Sequence, residues 1–454
     1  MHTEILINKA LERVDNFNST LLYQLENSRP SEVHEKAHAF PISVPEIWSK
    51  EDEDLFKFDF EVDKPLRLYI HIPWCKKKCI FCFYESDKCI PSEEDVSRYF
   101  QNIEMELTLY LLKFGKNKFV AETLYLGGGT PSILSPKQIE KLLSIIHSKI
   151  DFISTSTLIT ETSPGTITDE KIKAFKGSGI NRISIGIQSF QDHILEKCGR
   201  DHNGQEAIEA YHIVRKNEIP EINFDLMLAL PDQSIEDFAE TVKTTLELKP
   251  SSISFLDLRV AQGSFLHKLG YYYPSWKEDI TMRAIYQELL RNNNNYIRTR
   301  PHYYISPEEA RGRSTRVPCL DSREGNGFQI GLGVTSYGHL GNNQYVNHKN
   351  PDYTKLIENG ELPINYGLRL KTEDITAMKA IRAIVDYSLV PNAEDVLLQY
   401  LDLIKYLKNN NLIDEKLELT EDGCLFGEEI TYLFYPAYVK RKIYKNELSQ
   451  INFT

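Results

Sequence analysis

With 454 residues, 41% of them apolar and 26% charged, the chain has the make-up of a soluble globular protein of about two or three domains. Its net charge of −12 argues against binding a phosphate backbone, which needs a basic face, and against an anionic membrane surface. No apolar run approaches the roughly 20 residues that span a bilayer. The N-terminus also lacks a signal-peptide pattern, so a cytoplasmic protein without nucleic-acid or membrane partners is expected.

Residues 1–64 read as an N-terminal arm. Apolar residues at helical spacing run through HTEILINKALERVDNFNSTLLYQLE, and a polar, proline-punctuated stretch follows. Phe40, Ile42, Ile47 and Trp48 suit an arm packed on the main domain better than a solvated tail. From 65 to 260, β-rich runs at 66–72, 122–127, 156–161, 181–187, 221–228 and 251–258 alternate with helical patterns. Two of those helices open on a serine N-cap, Ser135 and Ser234, with Gln138 and Asp237 three positions on. This rhythm predicts an α/β fold, a partial (β/α)6 barrel with its chemistry at the C-terminal strand ends. Residues 261–370 are less regular and read as a barrel extension and substrate lid. Residues 371–454 read as a helix-rich, winged-helix-like domain, its hairpin near KLELTEDG. Because that domain lacks a basic recognition face, its expected role is structural or substrate-capping.

The chemistry concentrates in RLYIHIPWCKKKCIFCFY, where Cys75, Cys79 and Cys82 follow the first barrel strand with spacing Cys-x3-Cys-x2-Cys. In a reducing compartment such a bunch reads as a metal site rather than a disulfide framework. Zinc would want a second cysteine pair at knuckle spacing, which is missing, whereas iron–sulfur clusters are held by cysteine runs. Cys89 lies beyond the FYESDK segment as an outside candidate for a fourth ligand. After the second strand, Gly127, Gly128 and Gly129 precede Thr130 and Pro131, a run that lets backbone N–H groups approach a ligand closely.

Three thiolates with one open position resemble the radical S-adenosylmethionine (SAM) superfamily. YIHIPWCKKKCIFC, GGGTPS, ETSPGT, ISIGIQSF, FDLMLALPDQS and LELTEDG occur in the order of its oxygen-independent coproporphyrinogen III oxidase (HemN-like) family. That resemblance implies a [4Fe–4S] cluster on Cys75, Cys79 and Cys82, with SAM chelating the open iron. It also implies a second SAM and a reducing electron donor such as flavodoxin or ferredoxin. The cofactor contacts it implies are Tyr69, Phe81, Gly128, Gly129, Thr130, Glu161, Gln188, Arg200, Asp225 and Tyr337. Arg200 would pair with the SAM carboxylate, and Tyr337 would face the second SAM.

The match has gaps. Where the porphyrinogen oxidases carry a further cysteine two residues after the third, this chain has Tyr84, preceded by Phe83. The heme-chaperone branch carries a YEISNYA-like stretch before the late glycine motif, where this chain reads IRTRPHYYISPEEARGRSTRVPC. Its Arg300, Arg311, Arg313 and Arg316 read as an anion-binding lid or as a solvated basic loop. Its His302, Tyr303 and Tyr304 are the candidate catalytic groups. These departures resemble the class C radical SAM methyltransferases and cyclopropanases, which implies methyl or methylene transfer to an sp2 carbon of a small-molecule substrate. The alternatives are a porphyrin- or heme-modifying radical enzyme and a non-catalytic heme-binding chaperone.

Overall fold

The computed structural model describes residues 2–28, 66–82, 84, 86–260, 265–271, 276–293, 295–308, 328–385 and 393–443. The expected contacts of Phe40, Ile42, Ile47 and Trp48, and the lid arginines 311, 313 and 316, lie outside them. Each β-rich run becomes a strand, and so do two short pieces beside the cysteines. In chain order these are β1 (Leu66–Ile72), β2 (Trp74–Cys75), β3 (Asp87–Lys88), β4 (Phe119–Gly128), β5 (Ile150–Thr162), β6 (Arg182–Gln188), β7 (Glu221–Leu228) and β8 (Ser252–Asp257). β1, β4, β5, β6, β7 and β8 lie side by side in that order, every neighbour parallel. That is the (β/α)6 arrangement. The crossover helices include Pro136–Lys149 and Ile235–Leu248. Their Ser135–Gln138 and Ser234–Asp237 capping boxes are both reciprocal, each satisfying two otherwise orphaned N–H groups.

Alternation along β1 sets the two faces of the sheet. Leu66, Leu68, Ile70 and Ile72 are buried in the core cluster with Tyr99, Phe100 and Ile103 of the helix Glu93–Lys113. Each such side chain contributes roughly 1.5–3 kcal/mol by leaving water. The intervening Tyr69 and His71 share the opposite face.

Beyond residue 260 there is more sheet than the sequence suggests. β9 (Ile297–Arg300) and β10 (Tyr303–Ile305) form an antiparallel edge on β8. At the other end β11 (Gln329–Leu332) pairs parallel with β1. β12 (Tyr337–Leu340), β13 (Asn343–Asn347) and β14 (Ile364–Arg369) then extend the sheet antiparallel, making twelve strands.

The C-terminal region is helical, from Thr372–Ile384 to Ala437–Ile443. The expected wing reduces, among the described residues, to one antiparallel bridge, Ile413 to Leu419. Thr420 stops the hairpin by accepting the Gly423 N–H at 2.9 Å, which caps the helix Glu421–Leu425. The arm's described helices, His2–Asp15 and Ser19–Glu26, do pack on the body. Leu6, Ala10, Val14, Leu21 and Leu25 are buried. Lys9 pairs with the buried Glu288 at 2.7 Å, and Arg13 with Asp422 at 2.7 Å. Among the described residues no helix is long and apolar enough to cross a membrane.

Candidate functional site

The C-terminal ends of the six parallel strands surround a cavity of about 280 Å3. Cys75, Cys79 and Cys82 all line it. β2 carries Cys75 out of the sheet and pairs with β3, so the thiol-bearing loop springs from hydrogen-bonded backbone. The lysines between the first two cysteines hold its shape. Lys76 donates to the Gly165 carbonyl (3.3 Å), Lys77 to the Arg200 carbonyl (2.8 Å) and Lys78 to the Ser86 carbonyl (3.3 Å).

Among the described residues no three His, Cys, Asp or Glu side chains converge as a single metal ion requires. A cubane takes each thiolate on a different iron, so three thiols lining one cavity can hold a cluster. Two sulfurs already receive donors: Arg200 Nη1 lies 3.0 Å from Cys79 Sγ, and Thr130 Oγ1 lies 3.5 Å from Cys75 Sγ. Burial, followed by the neighbouring Cys79 thiol, pushes the Cys82 thiol up to about 12.

The glycine run works differently from the expectation. The Gly129 N–H donates to the Ile72 carbonyl at 2.7 Å and the Thr130 N–H to the Trp74 carbonyl at 2.8 Å. These two groups therefore fasten the cysteine loop to β4 and do not cradle a ligand. A Cβ on Gly129 would sit 2.6 Å from the Trp74 carbonyl oxygen and 2.8 Å from that of Ile72. Because backbone cannot yield as a side chain does, Gly129→Ala is expected to weaken SAM binding by about tenfold or more and to cost about 1–3 kcal/mol of stability. Equilibrium dialysis and thermal melts check both.

Most of the other expected contacts share the cavity wall: Phe81, Gly128, Glu161, Gln188, Arg200 and Asp225. Glu161 Oε1 accepts the Tyr125 hydroxyl at 2.5 Å. Asp225 accepts Ser184 Oγ at 2.7 Å and Asn223 Nδ2 at 2.8 Å. Gln188 ends β6 with φ of 68°, the left-handed region that a non-glycine residue adopts only under constraint. Gln188 Oε1 and Arg200 Nε are buried on this wall without a hydrogen-bond partner. Unsatisfied buried polar atoms are rare, and here they match what a polar cofactor would satisfy. The residues present therefore fit a cluster held by three thiols with SAM beside it.

Three expected site residues, two cofactor contacts and one catalytic candidate, fall elsewhere. Tyr69 and Tyr337 stack on each other at 5.0 Å beside Tyr125, off the cavity wall, and Tyr69 OH meets His71 Nδ1 at 3.1 Å. Tyr304 is the third. Its strand, β10, sends consecutive side chains to opposite faces. Tyr303 thus lines the cavity, as does His302 just before the strand, while Tyr304 packs edge-on against Phe255 and Tyr286 behind the sheet.

Sequence reading missed several groups on the wall. Arg182 is buried and donates to Glu221 (2.8 Å), Ser252 Oγ (2.9 Å) and Tyr303 OH (2.5 Å). Arg182 and Glu221 open β6 and β7 and face each other in register. A charge heading each of two apolar strands was the available signal. Arg259, Asp257 and Glu428 also line the cavity. Glu428 comes from the C-terminal helices, where no local pattern marks it.

Residues 69–245 match the family model of the radical SAM superfamily. The heme chaperone HemW of Haemophilus influenzae is 34% identical over 227 residues, 49% of this chain and 58% of that protein. Less than two thirds of that relative is thus spanned. The oxygen-independent coproporphyrinogen III oxidase of Helicobacter pylori is 27% identical over 352 residues, 72% of this chain and 74% of that one. In fold, coproporphyrinogen III oxidase (HemN) from Escherichia coli, described as a radical SAM enzyme, superposes with a TM-score of 0.72 at 21% identity. That match covers 85% of this chain and 94% of the other. Members of the superfamily bind a [4Fe–4S] cluster and SAM, the pair that the thiols and unsatisfied polar atoms fit. Residues 69–245 are thus a radical SAM domain.

Proposed function

We propose that this protein binds a tetrapyrrole, heme in the first instance, in the cavity next to its SAM and cluster site, in the manner of a heme chaperone. The observation that carries the reading is its kinship with two proteins named for heme and for a heme precursor, at 34% and 27% identity. The cavity supports it. Cys75, Cys79 and Cys82 line it together with Arg182, Arg259 and His302. His302 is the only imidazole on that wall among the described residues, and imidazole is a common axial ligand of heme iron.

When bound, the cluster and SAM supply radical chemistry. The chain's own residues orient and hold. Arg200 bridges Cys79, Ser163 and the Gly186 carbonyl, and Tyr125 fixes the Glu161 carboxylate. A radical oxidation of a porphyrinogen is the second reading, favoured by the match that runs over most of both chains. Methyl transfer, expected from the departures after Cys82 and near His302, draws no support from these relatives, and heme binding fits them better.

The test is anaerobic reconstitution with iron and sulfide, then titration with heme, and separately incubation with SAM and dithionite. Expected are a saturable Soret shift that weakens in His302→Ala and little deoxyadenosine. Absence of heme binding together with S-adenosylhomocysteine formation would replace this reading with methyl transfer. Carbon dioxide release from a porphyrinogen tetracarboxylate would replace it with the oxidase.

A further inference from the structure

Where β8 ends, Arg259 lies against the cavity with 7% of its surface exposed. Its guanidinium contacts the carboxylate of Glu428, which the helix Gly427–Leu433 presents in its first turn, and lies 3.6 Å from Asp257 Oδ2. The next residue, Glu429, is fully buried and bound from behind. Arg283 Nη1 reaches it at 3.0 Å and Trp276 Nε1 at 3.2 Å. Arg283 also holds the Leu425 carbonyl at 2.7 Å, Asp279 at 2.9 Å and Asp257 at 3.1 Å. The helix is therefore already anchored to the barrel through Glu429. The Arg259–Glu428 pair adds a second link, and that link faces the cavity.

The other cavity arginines are committed to the scaffold: Arg182 to Glu221, Ser252 and Tyr303, and Arg200 to Cys79, Ser163 and Gly186. Arg259 alone among these three has its main partner on a carboxylate that itself lines the cavity. A buried guanidinium requires an anion at all times, because an unpaired buried charge is strongly destabilising. Asp257 is shared with Arg283, so Glu428 leaves Arg259 at least cost when another carboxylate takes its place, and a guanidinium fork accepts either.

We infer that Arg259 is the anchor for a carboxylate of the bound molecule and that Glu428 is its internal stand-in, exchanged when the ligand enters. This rests on the tetrapyrrole reading, since heme carries propionate carboxylates. It makes the helix Gly427–Leu433 responsive to acid-bearing ligands only.

The experiment titrates heme and heme dimethyl ester into the reconstituted full chain, as wild type, Glu428→Gln, Arg259→Gln and Arg259→Lys. The wild type is expected to prefer the diacid. Glu428→Gln should bind the diacid about tenfold tighter with the ester unchanged. Arg259→Gln should lose the preference, and Arg259→Lys should retain most of it. Should a variant fail to fold, hydrogen exchange in the wild type carries the test. The diacid, and not the ester, should speed exchange across residues 427–433, and equal exchange with both would overturn the inference. Equal affinities for acid and ester in wild type and Glu428→Gln would overturn this inference and leave the tetrapyrrole reading standing. Binding of neither form to any of the proteins would overturn both.

Discussion

Replacing Cys75, Cys79 and Cys82 together by alanine is expected to abolish iron and sulfide incorporation, the cluster's charge-transfer absorbance and all reductive cleavage of SAM, while the chain stays folded. The first half follows from chemistry: only thiolates on this wall can hold a cluster, and all three stand on one loop and one cavity. The second half follows from how the loop is built. Its shape comes from backbone and lysine contacts, including the Cys82 N–H to the Cys79 carbonyl at 3.1 Å and the Thr130 N–H to the Trp74 carbonyl at 2.8 Å. None of these passes through a sulfur. Cys89→Ala is the control. Cys89 is exposed and follows β3, so its removal should leave the iron content unchanged. Iron and sulfide assays with circular dichroism decide the matter. A cluster that survives the triple change would sink the assignment of these ligands. One that Cys89→Ala removes would make Cys89 the fourth ligand.

That loop was legible because its information is local. Cysteine spacing, the strand before it and the glycine run after it lie within one stretch of chain. The two serine-capped helices were legible for the same reason, since a capping box is written within four residues. Legibility failed where structure depends on distant partners. The strands β11 to β14 are four to six residues long, and their register comes from β1 and from one another. Read alone they look irregular. RTRPHYYI looked like a lid of equivalent catalytic groups until β10 separated Tyr303 from Tyr304 by face. The Arg259–Glu428 contact joins the barrel to the C-terminal helices, and neither residue is marked by its own neighbours.

The carboxylate of Glu106 shows how such distant pairing is enforced, and its removal is expected to have the largest effect on stability. Glu106 sits on the helix Glu93–Lys113 with no exposed surface. It accepts the Gly333 N–H at 2.8 Å, Asn347 Nδ2 at 2.6 Å and the Tyr353 hydroxyl at 2.7 Å. Those donors come from the turn after β11, from β13 and from the helix Asp352–Glu358. Tyr99, on the same helix as Glu106, donates to the His71 carbonyl at 2.7 Å and accepts the Val334 N–H at 3.2 Å. One helix face thus clamps the outer strands onto β1. Glu106→Ala would leave three buried donors without this acceptor, a loss of roughly 3–5 kcal/mol.

The pH dependence of that loss has a definite sign. Burial outweighs the three donors and pushes Glu106 up to about 8 from an ordinary 4.5. Between those values the native state keeps a proton that the unfolded chain releases. Its stabilising contribution is therefore complete below the unfolded value and declines as pH rises towards 8, by a few kcal/mol in all, at about 1.4 kcal/mol per pKa unit. Thermal melts at both ends of this window should show the alanine penalty larger in acid and smaller in mild base. A penalty that grows with pH would mean that Glu106 is held as a carboxylate throughout. The clamp would then be an ionic one, and its three donors, rather than its burial, would govern how the outer strands carry Tyr337 against Tyr69.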